Sequence, residues 1–308
     1  MLQSLHQIFM SLIPVSFIVF LGWLAGYKKT IDNRHSHTLA TYVMSFSFPC
    51  ALFVLTATSK PRELLNGQFV AAFWLGLIGM FVLSFAIYKL LLKRNNKDCA
   101  QGAFVCSFPD MAFMGIPIFS ALLGKQALLS IAIGNICTSL IIIPAVTIFL
   151  NAGNNKESIQ QTILKVISKP LVFAPILGTT YSLLGLQLPE IIKNSLNLIG
   201  STTSGVSLFA LGLMMSCFTI RFSKLALMNI LLKNIVHPLL MLSLLVTFKV
   251  SGIFAKEAIL LCAMPTATMT AMFALKYETL AEESTTSAIL GTIISLFTLT
   301  IFMVILNV

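Results

Sequence analysis

Uninterrupted apolar stretches of about 20 residues recur from end to end of this chain, and they restrict its possible folds more than any other feature. A helix of that length crosses the ~30 Å hydrocarbon core of a bilayer, so each stretch has the length of one membrane crossing. Only 10% of the residues are charged, whereas soluble domains carry about 25%. Because the stretches are continuous rather than alternating, they exclude a membrane β-barrel. The pattern predicts an all-α polytopic membrane protein.

The hydropathy pattern predicts ten transmembrane helices within one membrane domain. The first apolar stretch has no basic segment before it, so we expect a retained helix rather than a cleaved signal peptide. The hydrophilic stretch 151–169 separates five helices from the other five. The predicted spans are 8–27, 38–58, 67–92, 99–122, 127–150, 170–187, 196–219, 225–248, 257–277 and 284–307.

The net charge of +10 is attributed to membrane orientation rather than to a nucleic-acid partner. Most Lys and Arg residues fall in the loops that follow helices 1, 3, 5, 7 and 9. Since basic loops remain in the cytoplasm, both termini are predicted to lie outside a cell (inner) membrane. Lys233 falls inside helix 8 and is expected to extend towards an interface.

The sequence shows no metal-binding, redox or cofactor motif. The six cysteines have neither metal-ligand nor redox spacing, so they are expected to be reduced, buried small side chains. No cofactor motif is present, and H⁺ or Na⁺ is the only accessory species that the sequence suggests.

A shift of 156 residues aligns scarce residue types in the two halves of the chain, which predicts an internal repeat. The repeats span 1–150 and 170–308 and are joined by a cytoplasmic linker at 151–169. Five helices per repeat is an odd number, so the two copies must cross the membrane in opposite senses. Inverted repeats are typical of secondary transporters. The aligned pairs include Pro14 with Pro170, Gly22 with Gly178, Phe53 with Phe209, Cys106 with Cys262 and Pro109 with Pro265.

Pro109 and Pro265 interrupt helices 4 and 9 at corresponding positions of the two repeats. Proline removes a backbone donor and clashes with the carbonyl four residues back, so each helix is predicted to break there. Freed backbone groups are tolerated at membrane depth only where protein or water covers them. Each proline is also well placed to open the second half-helix. Paired breaks of this kind indicate a transporter's binding site.

Asp110 follows the first break, where an ionised acid costs ~3 kcal/mol at the bilayer centre. It is interpreted as a proton carrier or a cation ligand, with an N-terminal cap as the structural alternative. Small and hydroxylated residues follow both prolines and could approach or bind a ligand. The predicted binding residues are Pro109, Asp110, Gly115, Pro117, Pro265, Thr266 and Thr268, with Asn135 and Thr292 lining the site.

Two further groups of polar residues remain open to two interpretations. His237 in helix 8 is either a hydrogen-bonding partner inside the bundle or a proton relay. The run 201–205 in helix 7 either lines a pathway or forms a packing face of small residues.

The segment from Asp110 to Pro117 resembles the N-x-G-F-x-G-x-P signature of the auxin efflux carrier family, which includes bacterial malonate- and malate-type carriers. The segments 265–268 and 291–295 resemble the family's ninth and tenth helices, and the likeness covers the whole chain. It implies crossed, broken helices 4 and 9 with the substrate between them. It also implies a homodimer, and a scaffold of helices 1, 2, 6 and 7 against which helices 3–5 and 8–10 move. Asp110 replaces the family's Asn, and Ala112 replaces its Gly.

These observations predict a secondary transporter of a small organic anion, such as a dicarboxylate, coupled to H⁺ or Na⁺ through elevator-like alternating access. The alternative is a cation/proton antiporter in which Asp110 carries the ion. A channel remains open as well. An intramembrane enzyme finds little support, because the chain offers no catalytic pair of groups at a useful spacing.

Overall fold

The computed structural model describes residues 2–32, 35–59, 67–124, 127–151, 168, 170–216 and 221–306, and these residues form helices and connecting turns without a β-strand. Two of the helices are split, and their halves are labelled a and b. The helices are α1 (Leu2–Tyr27), α2 (His35–Thr58), α3 (Gly67–Leu91), α4a (Asn96–Ser107), α4b (111–122), α5 (Leu128–Leu150), α6 (Pro170–Leu183), α7 (Glu190–Met215), α8 (Lys224–Thr247), α9a (Ile253–Ala263), α9b (Met269–Lys276) and α10 (Ala281–Leu306).

The all-helical prediction is confirmed, and each predicted span contains helix. In the described part of the chain, six helices are long and apolar enough to cross a membrane, namely α2, α3, α5, α7, α8 and α10. Helix α7 begins at Glu190, six residues before its predicted start. Cys217 and nearly all of the linker 151–169 lie outside the described residues, and the other five cysteines are free thiols. The ten crossings and their inverted order stay predictions.

The chain divides into two compact units. Unit 1 comprises Met1–Gly67, Met111–Asn135 and Ile167–Phe218, and unit 2 comprises Gln68–Asp110, Ile136–Val166 and Thr219–Val308. Unit 1 therefore holds α1, α2, α6 and α7, as the family resemblance implies for a scaffold. It also holds α4b and the start of α5, which the resemblance assigns to the other group. The division of helix 4 falls at its break, after Asp110.

Unit 1 is built on two close helix crossings, of α1 with α7 and of α2 with α6. A Cβ atom at Gly22 would overlap the Phe209 carbonyl oxygen, and one at Gly178 would lie 2.7 Å from the Phe53 carbonyl oxygen. Only glycine allows backbones to approach this closely. The two contacts exchange under the shift of 156 residues, because Gly22 aligns with Gly178 and Phe53 with Phe209. Reciprocal contacts of this kind are expected when two repeats pack about a two-fold axis.

Unit 2 packs aromatic and aliphatic side chains of α3, α4a and α5 into a buried cluster that includes Phe81, Phe104, Phe108 and Val146. One buried pair of polar side chains joins α3 to α8. The Tyr88 hydroxyl donates to Asn229 Oδ1 at 2.7 Å, and both side chains are buried. The unit thereby holds the two helix breaks described next within a well-packed surrounding.

Candidate functional site

The break in helix 4 is a three-residue link between α4a and α4b. Helix α4a ends at Ser107, Phe108 is extended at φ −105° and ψ 93°, and helix resumes at Met111. Extended backbone is the expected conformation for a residue before proline. The predicted break is present, but Pro109 lies inside the link rather than at the first position of the second half-helix. Asp110 is the last residue of the link and is 1% exposed.

The break in helix 9 is longer. Helix α9a ends at Ala263, Met264 is extended at φ −59° and ψ 150°, and helix resumes at Met269. Pro265 again lies inside the link rather than opening the second half-helix. Thr266 is buried within the link, and the Thr268 carbonyl accepts from the Ala271 N–H at 3.1 Å at the start of α9b.

The two links pair with each other as a short antiparallel bridge. The N–H of Asp110 donates to the Pro265 carbonyl at 2.9 Å, and the N–H of Ala267 donates to the Phe108 carbonyl at 3.0 Å. Buried backbone groups need such partners, because an unpaired group at membrane depth is costly. Four of the predicted site residues are brought together here, namely Pro109, Asp110, Pro265 and Thr266.

Lys233 reaches this break from α8, and its predicted extension towards an interface is wrong. The side chain is 1% exposed, and Nζ donates to the carbonyl oxygens of Cys262 and Met264, each at 2.7 Å. Both acceptors stand at the C-terminal end of α9a, where helix carbonyls lack partners and carry partial negative charge. An ammonium therefore sits at the break that Pro265 creates.

The remaining predicted residues of unit 2 lie in α10 and α8. Thr292 is buried, and its hydroxyl donates to the Ala288 carbonyl of its own helix at 2.7 Å. A Cβ atom at the preceding Gly291 would lie 4.0 Å from Pro265 Cβ, so α10 passes beside the proline. His237 is fully buried, and neither ring nitrogen has a hydrogen-bond partner among the described residues. Its predicted roles stay open.

The predicted residues of unit 1 are buried in α4b and α5. Pro117 lies at the start of the α-helical part of α4b, where its missing N–H is tolerated. Gly115 immediately precedes that part, and the Phe113 carbonyl accepts from the Ser207 hydroxyl of α7 at 3.3 Å. Asn135 is 5% exposed in α5. The shared site proposed for Asn135 and Thr292 stays a prediction.

Unit 1 also contains a cavity of about 580 Å³ that sequence reasoning missed. We call it the α7 cavity, because a polar row on one face of α7 lines it. That row comprises Lys193, Asn197, Ser201 and Ser204, at intervals of three or four residues. Ser120 of α4b, Leu128 of α5 and residues of α2 complete the wall, and the described lining holds one lysine and no acid. Ser201 and Ser204 thus face a cavity, whereas Thr203 between them is buried.

Lys193 was the signal that could have revealed this cavity. Its position before the predicted start of helix 7 assigned it to a loop, whereas the structure places it in the first turn of α7. Among the described residues, no cluster of His, Cys, Asp or Glu could hold a metal ion. The two candidate sites are therefore the paired breaks of unit 2 and the α7 cavity of unit 1.

Comparison with known proteins matches residues 7–303 to the family described as "Membrane transport protein". Among curated relatives, "Uncharacterized transporter YfdV" of Escherichia coli is 26% identical over 92% of this chain and 94% of its own length. "Putative malonate transporter" of Rhizobium meliloti is 21% identical over 94% and 92%, respectively. "Auxin efflux carrier component 8" of Arabidopsis thaliana is 23% identical over 95% of each chain.

Proposed function

Since the chain belongs to the membrane transport protein family, which holds the auxin efflux carriers and consists of transporters rather than enzymes, we propose that it is a secondary active transporter of a small organic anion. A dicarboxylate is the preferred substrate class. Coupling is to an ion gradient, and transport proceeds by elevator-like alternating access in a homodimer.

The α7 cavity is the observation that best supports an anionic substrate. Its lining offers an ammonium at Lys193 and an amide at Asn197, without a carboxylate among the described lining residues. A cavity of about 580 Å³ is within the usual range for small-molecule sites. Charge-assisted hydrogen bonds from lysine to a carboxylate are among the stronger polar contacts. A dianion such as malonate would therefore be attracted to this surface.

The names of two relatives support the proposed transport of a small organic anion. One is named as a malonate transporter, and malonate is a dicarboxylate. The other is named as an auxin efflux carrier component. Because both relatives align over more than nine-tenths of this chain, the proposal draws on the whole membrane domain rather than on one shared segment.

The buried carboxyl of Asp110 supports ion coupling. It lies in a link between half-helices, where carbonyls and N–H groups face a break rather than a continuous helix. An acid buried in a membrane protein's span is by default a functional group, because its charge makes insertion of the helix less favourable. Protonation of this carboxyl, or binding of a cation to it, would couple transport of the anion to an ion gradient.

The direct test is uptake of radiolabelled malonate and malate into proteoliposomes. A pH gradient and a Na⁺ gradient are imposed separately, with protein-free liposomes as the control. Gradient-stimulated uptake of either acid supports the proposal. Absence of uptake of both acids, together with dissipation of a pH gradient by an added cation, would contradict it in favour of the cation/proton antiporter.

A further inference from the structure

Three different donors serve carbonyl groups at and just after the end of α9a. The Met264 N–H donates to the carbonyls of Leu260 and Leu261 at 3.1 and 3.2 Å. The Asp110 N–H donates to the Pro265 carbonyl. The carbonyls of Cys262 and Met264 are served instead by the Lys233 ammonium, at 2.7 Å each. A side-chain cation thus supplies donors to two carbonyls at which the helix break removes the N–H groups of a continuing helix.

Carbonyl oxygens at the C-terminal end of a half-helix are the ligands that broken membrane helices offer to Na⁺. Oxygens suit a hard cation, and the partial negative charge at the helix end adds to the attraction. When protonated, the Lys233 amine carries the same unit charge as Na⁺, and its Nζ contacts two of these oxygens directly. It therefore meets the electrostatic requirement of a bound monovalent cation at this position.

Placing a positive charge in this space is energetically unfavourable. Lysine within a membrane span costs ~3 kcal/mol on insertion scales, and an apolar side chain of similar volume would avoid that cost. The residue that aligns with Lys233 under the shift of 156 is Leu77, which is fully buried. The chain therefore carries the charge at one of the two corresponding positions only, beside the break in helix 9.

We propose that Lys233 is a tethered cation, whose ammonium occupies the place of a coupling Na⁺ on the Cys262 and Met264 carbonyls, so that this site works without Na⁺. The inference deepens the proposed transport function by assigning the cation at the α9 break. Its test requires no substrate, so it can succeed or fail independently of the organic-anion proposal.

The test compares thermal unfolding of purified protein in NaCl and in choline chloride at equal ionic strength. Lys233→Ala removes the ammonium and leaves space in which Na⁺ could reach the two carbonyls. Lys233→Met removes the charge but fills most of the volume. Lys224→Ala is the matched control, because Lys224 is an exposed lysine at the start of the same helix.

We expect wild type and Lys224→Ala to unfold at the same temperature in both salts. Both Lys233 variants should unfold at least about 4 °C lower in choline chloride, since buried carbonyls lose their charged donor. NaCl should restore several degrees in Lys233→Ala, because a ligand that binds only the folded state raises its unfolding temperature. Lys233→Met should show no such rescue.

Three results would overturn the proposal. The first is a Na⁺-specific stabilisation of wild type as large as that of Lys233→Ala, which would place the Na⁺ site elsewhere. The second is a Lys233→Ala variant that Na⁺ does not rescue, and the third is an equal rescue of Lys233→Met. If Lys233→Ala does not fold in choline chloride, recovery of monodisperse protein in NaCl alone supports the proposal, and recovery in neither salt contradicts it.

Discussion

The backbone N–H of Asp110 donates to the carbonyl oxygen of Pro265 at 2.9 Å, and this bond joins the breaks of helices 4 and 9. The bond uses the main chain of Asp110 and leaves its carboxyl out of the pairing. A change of the Asp110 side chain alone therefore leaves this backbone bond in place.

Asp110→Asn should preserve the fold and abolish the response of uptake to an imposed ion gradient. The amide has nearly the same shape as the carboxyl, but it cannot bind and release a proton near neutral pH. Initial uptake of the labelled acid with and without the gradient measures the response. Glu282→Gln is the control, because Glu282 is an exposed acid paired with Arg221. Unchanged pH and Na⁺ dependence in Asp110→Asn would contradict the prediction.

Lys193→Gln should raise the KM for the anion about tenfold, because loss of a charge-assisted hydrogen bond corresponds to about 1.4 kcal/mol. The maximal rate should change less, since Lys193 lines the α7 cavity rather than a helix break. Concentration-dependent uptake provides both constants. Lys249→Gln removes an exposed lysine outside that cavity and should leave KM unchanged. Equal KM values for the two variants would argue against the cavity as a substrate site.

Gly212→Ala should lower the free energy of unfolding by about 1–3 kcal/mol, the usual cost of overpacking a close contact. A Cβ atom at Gly212 would overlap the Val19 carbonyl oxygen, at the crossing of α1 with α7. Gly205→Ala is the matched control in the same helix, because nothing lies within 4 Å of its Cβ position. That variant should be unchanged or up to about 1 kcal/mol more stable. Thermal unfolding in detergent compares them, and equal destabilisation would disprove the packing argument.

Tyr88→Phe should destabilise the protein by about 1–2 kcal/mol, because it removes the buried donor to Asn229 Oδ1. The ring itself is retained, so the change tests the hydroxyl rather than the packing. Tyr27→Phe removes the hydroxyl of a tyrosine that is 69% exposed and should shift stability by less than about 0.5 kcal/mol. Denaturation midpoints measure both, and a Tyr88→Phe variant as stable as Tyr27→Phe would contradict the prediction.

The helix breaks could be predicted from sequence because their cause is local. Pro109 and Pro265 each lack an N–H wherever the surrounding chain goes, which disfavours a continuous helix. Their corresponding positions in the two repeats distinguished them from Pro14 and Pro175, which lie inside continuous helices. The pairing of Asp110 with Pro265 could not be predicted in the same way. It depends on the close approach of two segments more than 150 positions apart, and although the repeat relates the two breaks, neither segment shows which N–H will meet which carbonyl.

The direction of Lys233 was mispredicted for the same reason. Hydropathy identifies an ammonium within an apolar span, and snorkelling is the ordinary solution for a lysine near a helix end. The acceptors that hold it inward are carbonyls of Cys262 and Met264, which become available only because Pro265 ends α9a. That consequence of the break belongs to another helix and leaves no pattern around Lys233.

The predicted start of helix 7 was also wrong, and the error left a cavity-lining lysine assigned to a loop. Residues 190–195 are polar enough to be assigned to a loop, yet Pro189 precedes them, and the acid Glu190 occupies the first turn, where it suits the helix dipole. Attention to those two signals would have placed Lys193 on α7. The α7 cavity itself depends on side chains from four helices, α2, α4b, α5 and α7, and could not be derived from sequence.

The reciprocal glycine crossings also constrain how the protein can be made. Gly22 and Phe209 are separated by about 190 residues, a length that takes roughly 10–40 s to synthesise. During most of that time α1 and α2 have been made, but α7 and α6, the helices against which their backbones will pack, have not. The contact surfaces of α1 and α2, including Gly22, therefore stay uncovered in the nascent first half, so self-association at that stage is a hazard of making the chain in this order.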